Sequence, residues 1–229
     1  SLMIEQNKNF FNGREGGEQT EEIERFSPAT LGALEQRGRK LYTLTGKTIP
    51  QLSGEGVPIS KEWVSHKDVD DEIGRLQSRR SQVAIEDIGA LPENYTLFRS
   101  FNKSVPEQIT MVKNASHQLQ QDIPGAKMII GNPVDYLELA WEVRKTTGRN
   151  LFQTESFIRF LSKLMRRKFK QYWFIRTDTP LESVRGSFAF AVTWYSEEFH
   201  ISAWPRQEGN HIMGVFPLIV PAEQNSKSK

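Results

Sequence analysis

The chain contains no cysteine among its 229 residues. This absence excludes a disulfide-stabilised fold, thiolate catalysis and cysteine-ligated zinc or iron–sulfur sites. No apolar run approaches the roughly 18 residues that a membrane-spanning helix needs, and the first residues lack the apolar segment of a signal peptide. We therefore expect no membrane partner, and we predict a cytoplasmic or other reducing intracellular location.

Apolar residues are also scarce, at 37% of the chain, and the mean hydropathy is −0.54. These values indicate that part of the chain lies outside the core. Residues 1–26 carry six acids and three bases with few apolar side chains. We predict a flexible acidic arm at 1–26, a single domain at 27–221 and a polar tail at 222–229. A protein partner would be needed to order the two ends.

The hydrophobic period changes near Lys170 from about 3.6 residues to two. Before this point the pattern predicts short strands at 95–101 and 127–131 and a loop at 46–60. Cap residues refine the helices: Ser27 and Asn132 each precede a proline, which is typical of a helix start, and Gly148 is typical of a helix end. The predicted helices cover 27–42, 61–80, 107–121, 133–147 and 155–169.

Alternating apolar residues predict strands in the last part of the chain, and short connectors between them favour antiparallel hairpins. The predicted class is therefore α+β: an N-terminal helical region followed by a C-terminal antiparallel sheet of about four strands. The predicted strands cover 171–177, 186–195, 198–204 and 211–220.

A basic helix is the clearest candidate site. Residues 156–177 contain seven Lys or Arg residues and no acid. Helical spacing places four of these cations on one stripe, opposite an apolar stripe that includes Phe157 and Leu164. Such a helix can bury one face and offer the other to phosphates. A solvated surface helix is the alternative, as is contact with an acidic protein or a membrane surface. The predicted phosphate contacts are Arg159, Lys163, Arg166, Arg167 and Lys170.

The strand at 186–195 adds aromatic side chains that alternate onto one face, with Arg185 just before them. If this face is open, the aromatic rings can stack on bases; if it is closed, they are core residues. The candidate stacking residues are Phe188, Phe190 and Trp194. Two consecutive helices before this strand also permit a helix-turn-helix, although their connector is longer than that motif requires.

Patterns for catalysis or metal binding are weak. Asp135 and Glu142 faintly resemble the carboxylates of a metal-dependent nuclease, but Asp135 is better interpreted as a helix-start residue. The acidic run at 68–72 lacks the glycine of a calcium loop, and TGKT at 45–48 lacks the earlier glycine of a phosphate-binding loop. His200 and His211 would face each other across a hairpin and could exchange protons. We assign no catalytic residue, metal or cofactor.

These patterns favour a non-catalytic nucleic-acid-binding protein or a subunit of a nucleoprotein complex. Two alternatives stay open: a structural or protein-interaction subunit of a larger assembly, and a metal-dependent hydrolase or nuclease. The partner in the leading hypothesis is RNA or DNA.

Overall fold

A computed structural model describes residues 22–61, 67–87, 96–151, 174–181, 188–195, 197–211 and 213–222. Helices and strands alternate along these residues, and one main hydrophobic core collects side chains from two sheets. The predicted α+β class is confirmed. None of the described helices is both long enough and apolar enough to cross a membrane.

Six helices occur in the described ranges, and local caps set several of their ends. Ser27 caps the first helix by accepting a hydrogen bond from the Thr30 amide. Asn132 caps the last helix, which Gly148 ends in the left-handed conformation, as predicted. The helices are α1 (Pro28–Gln36), α2 (Ile49–Gly54), α3 (Lys67–Gly74), α4 (Thr96–Ser100), α5 (Val105–Asp122) and α6 (Pro133–Thr147).

The described strands form two sheets, ordered β1-β3-β9-β4 and β2-β7-β6-β5-β8. The four-stranded sheet is antiparallel throughout. The five-stranded sheet has an antiparallel centre with a parallel strand at each edge. The strands are β1 (Lys40–Thr45), β2 (Ile59–Lys61), β3 (Arg80–Ile85), β4 (Ala126–Ile129), β5 (Phe174–Pro180), β6 (Phe188–Tyr195), β7 (Glu198–Pro205), β8 (Met213–Gly214) and β9 (Leu218–Pro221).

The N-terminal region contains strands that the sequence pattern assigned to helices. The predicted helix at 27–42 ends at Gln36, because Gly38 adopts a φ of 71° that leaves the helical region, and β1 follows. The predicted loop at 46–60 contains helix α2, and its last residues, Ile59 and Ser60, lie in β2. The predicted strand at 95–101 is wrong, since these residues include helix α4, whereas the strand predicted at 127–131 is confirmed as β4.

In the C-terminal region, β5, β6 and β7 are antiparallel neighbours, and the hairpin predicted between β6 and β7 is confirmed. The single strand predicted at 211–220 is wrong, because this stretch divides into β8, which is parallel to β5, and β9, which joins the other sheet. Ile219 of β9 pairs with both Ala84 and Met128. Pro217 separates the two strands, and a proline has no amide proton to donate to a central strand.

The described chain begins with residues that belong to the fold. The Glu24 amide donates to the Arg80 carbonyl at 2.9 Å, and the Glu24 carbonyl accepts from the Gln82 amide at 2.8 Å. Phe26 is buried in the core. The predicted arm at 1–26 is therefore too long by at least these residues. The rest of the arm, at 1–21, and the tail at 223–229 lie outside the described residues.

Arg176 of β5 is a charged side chain that is only 1% exposed. Its Nη1 donates to the carbonyls of Glu208 at 2.7 Å and Lys103 at 3.4 Å, and its Nη2 lies 3.0 Å from Met213 Sδ. Burial lowers the pKa of the guanidinium, and the charge of Glu208 partly opposes this effect. Arg176 thus connects two surface loops, and also the edge strand β8, to β5.

The two loops that Arg176 joins also contact each other directly. The Asn102 amide donates to the Asn210 carbonyl at 3.0 Å, and the Val105 amide donates to the Arg206 carbonyl at 2.8 Å. A Cβ at Gly209 would lie 2.5 Å from the backbone oxygen of Asn102. Only glycine permits this approach without moving the backbone.

We expect Arg176→Ala to lower the free energy of unfolding by about 2–4 kcal/mol, because it leaves a cavity and removes the donor of two partly buried carbonyls. Chemical denaturation monitored by circular dichroism would measure this change. The control is Arg37→Ala, which removes an exposed ion pair with Asp122 and should cost less than about 1 kcal/mol. Equal effects of the two substitutions would show that Arg176 is not a structural clamp.

Candidate functional site

All of the predicted phosphate contacts lie in parts of the chain for which the structure gives no description. These residues are Arg159, Lys163, Arg166, Arg167, Lys170 and Arg185, and the predicted helix at 155–169 lies with them outside the described residues. Their assignment stays a prediction.

The candidate stacking residues lie on β6. Phe190 is fully buried and belongs to the main core, as does Val192 on the same face. Phe190 therefore has no exposed ring surface, and the condition for stacking on a base is not met at this position. The side chains of Phe188 and Trp194 lie outside the described ones.

The densest polar arrangement in the described residues surrounds the start of α6. Residues 133–140 of this helix are all buried, and α6 contacts both β1 and β6. Two carboxylates project from this buried stretch, so their charges must be balanced by hydrogen bonds. We call this group the α6 carboxylate cluster; its members are Asp135, Glu138, Thr45, Lys47, Ser78 and Arg79.

Asp135 is fully buried and serves as both a cap and an ion-pair partner. Its Oδ1 accepts from the Arg79 amide at 2.7 Å, and its Oδ2 accepts from Arg79 Nε at 3.1 Å and Nη2 at 2.8 Å. Oδ2 also accepts from the Asn132 amide at 2.9 Å, which completes a capping box. The predicted role of Asp135 at the helix start is confirmed.

Glu138, one turn further along α6, is 1% exposed. Its Oε1 accepts from the amide of Thr45 at 3.0 Å and from the Thr45 hydroxyl at 2.6 Å, and its Oε2 accepts from the Ser78 hydroxyl. Ser78 Oγ in turn accepts from the Lys47 amide at 2.9 Å. One carboxylate thereby holds the end of β1 against the residues that precede β3.

Lys47 lies at the edge of the cluster, with its side chain 22% exposed. Its Nζ is 2.8 Å from Glu55 Oε2 and 4.0 Å from Glu138 Oε1. Partial burial opposes the charge, but the hydrogen bond to Glu55 and the charges of Glu55, Glu138 and Glu142 outweigh it and raise the pKa of Lys47. The lysine therefore stays protonated and balances the carboxylates.

The geometry of the cluster suits a structural role. All four oxygens of Asp135 and Glu138 accept hydrogen bonds from the chain itself. Glu142, the second carboxylate of the nuclease alternative, contacts Lys145 at 2.5 Å. Within the described ranges, no three His, Asp or Glu side chains are placed to hold a metal ion.

Two other sequence motifs have structural roles. TGKT at 45–48 forms a turn in which Gly46 has a φ of 83°, and Thr48 then caps α2. His200 pairs with Thr193 across β6 and β7, whereas His211 lies in the loop before β8. The predicted pairing of the two histidines across a hairpin is therefore wrong, because β8 joins β5 and not β7.

Sequence reasoning missed the partners of the buried carboxylates. Arg79 is 56 residues from Asp135, and Ser78 is 60 residues from Glu138. One sequence signal was present: Asp135 and Glu138 stand in a stretch where the apolar residues Val134, Leu137 and Ala140 surround them. Charged residues inside such a stretch need buried partners.

Comparisons of this chain with protein-family models, curated proteins and solved structures give no match.

We expect Glu138→Ala to lower the free energy of unfolding by about 2–3 kcal/mol, since it leaves the buried Ser78 hydroxyl and the partly buried Thr45 amide without their acceptor. Glu142→Ala, on the same helix, removes only a surface contact and should cost less than about 1 kcal/mol. Urea denaturation of both variants would measure the difference. A loss below 1 kcal/mol for Glu138→Ala would contradict the structural role of the cluster.

Proposed function

We propose that this chain is a non-catalytic nucleic-acid-binding protein or a subunit of a nucleoprotein complex. The carrying observation is the basic segment, defined as residues 156–177, which contains seven cations and no acid. Arg176 is buried within the fold, so the other six are the candidates for phosphate contact. Closely spaced positive charges bind a polyanion such as nucleic acid, because each phosphate contact releases condensed counterions. A helical spacing of four of the cations would align them along one phosphate strand.

The described residues add two points of support. The basic segment follows α6, whose last turn already carries Arg144 and Lys145, and Arg149 is exposed just beyond the helix. The buried carboxylates, in contrast, are hydrogen-bonded within the fold, so they do not offer a hydrolytic site as they stand. The stretch from Arg144 to Lys170 therefore carries a net positive charge.

The binding prediction uses the full chain and labelled oligonucleotides of single-stranded DNA, single-stranded RNA and duplex DNA. Lys163→Glu with Arg166→Glu should weaken binding to all sequences similarly, since phosphate contacts carry little base information. The dependence of log affinity on log salt should become shallower by about 1.5, which corresponds to two lost phosphate contacts. Fluorescence anisotropy at several salt concentrations would measure both effects.

The control reverses two exposed cations elsewhere, Lys40 of β1 and Lys113 of α5. It makes the same change in net charge and should alter the affinity much less, because neither cation lies near the basic segment in sequence. A folded wild type that binds no oligonucleotide in a salt-sensitive manner would overturn the proposed function. Equal losses in the two double variants would assign the binding to net charge alone.

A further inference from the structure

We infer that the C-terminal end of α6 is a contact surface for single-stranded nucleic acid; the inference rests on the proposed function and gives it a strand preference. The surface is defined by Trp141, Arg144, Lys145 and Arg149. It joins an aromatic ring to three cations at the point where α6 leaves the core and the chain continues toward the basic segment.

Exposure along α6 changes abruptly at Trp141. Every residue from 133 to 140 is buried, whereas Trp141 is partly exposed and packs its remaining surface against the main core. The Arg144 guanidinium lies over the indole, 5.8 Å from the ring centroid. This contact holds the ring and the cation as one unit at the surface.

The charges around Trp141 are mostly positive. Lys145 is 46% exposed and contacts Glu142, a surface ion pair of the kind that contributes little energy and exchanges readily. Arg149 is exposed beyond the helix end. The helix dipole accounts for Arg144 and Lys145 in the last turn, but it does not account for Arg149 after Gly148 or for a partly exposed tryptophan.

An aromatic ring beside cations is the arrangement that binds single strands. An unpaired base can stack on the part of the indole and guanidinium pair that stays exposed, while Lys145 and Arg149 contact the flanking phosphates. A duplex keeps its bases stacked within the helix and offers this surface only its phosphates. The surface should therefore favour single strands over duplexes of equal length.

The test extends the anisotropy titration with Trp141→Leu, which keeps an apolar side chain against the core but removes the stacking ring. This variant should bind single-stranded DNA and RNA about fivefold or more weakly and should bind duplex DNA almost as well as the wild type. The matched control is Trp141→Phe, which keeps an aromatic ring at the same position. It should retain most of the single-strand affinity that Trp141→Leu loses.

Thermal melting would establish that each variant folds, and Arg149→Glu tests the same surface without touching the core. It should weaken binding to single strands and reduce the salt dependence. If the wild type binds and the Lys163 and Arg166 reversals weaken it, but Trp141→Leu and Arg149→Glu bind single strands like the wild type, this inference is overturned and the proposed function stands. Absence of salt-sensitive wild-type binding overturns both.

Discussion

Two carboxylates on the buried first part of α6, residues 133–140, impose the main constraint on this fold. A charge removed from water is tolerated only when the protein supplies hydrogen bonds or an opposite charge. Asp135 and Glu138 obtain these partners from the end of β1 and from the residues just before β3. The position of α6 therefore determines where two segments, distant in sequence, must lie. The requirement acts on both segments at once, so that neither can shift without leaving a buried oxygen unpaired.

The five-stranded sheet meets the same requirement with the opposite charge. Arg176 is buried, but backbone carbonyls of Glu208 and Lys103 take the place that a carboxylate would occupy. Carbonyl acceptors do not remove the net charge, which is why burial lowers the pKa of the guanidinium. Tyr136 shows a neutral version of this solution, since its hydroxyl donates to the Phe216 carbonyl at 2.7 Å. Polar groups thus fix how the chain segments meet, while the apolar core supplies most of the favourable free energy.

The features that sequence predicts here are those set by near neighbours. Ser27, Asn132 and Gly148 mark helix ends because each acts on backbone groups within a few residues. The β6–β7 hairpin follows from the two-residue period and the short connector between the two strands. Long-range features escape this reasoning: β9 pairs with β3 and β4, far away in sequence. Phe190 gives a second example, from the candidate site. Alternation places the aromatic side chains on one face of the strand, but it does not show whether that face packs against the core or faces the solvent.

The separation between balanced and available charge is the physical basis for the proposed function. Interior charges are hydrogen-bonded within the fold, so they contribute little to the field that an approaching ligand meets. Residues 141–151, which follow the buried part of α6, carry three cations and one acid, and the sequence after Arg149 adds more cations. Such an excess of positive charge attracts a polyanion over several ångströms, and the strength of the attraction depends on the salt concentration. Trp141 would add a stacking interaction, which acts at shorter range because it requires contact with a base. Charge would bring a nucleic acid to this end of the molecule, and the ring would then distinguish an unpaired strand from a duplex.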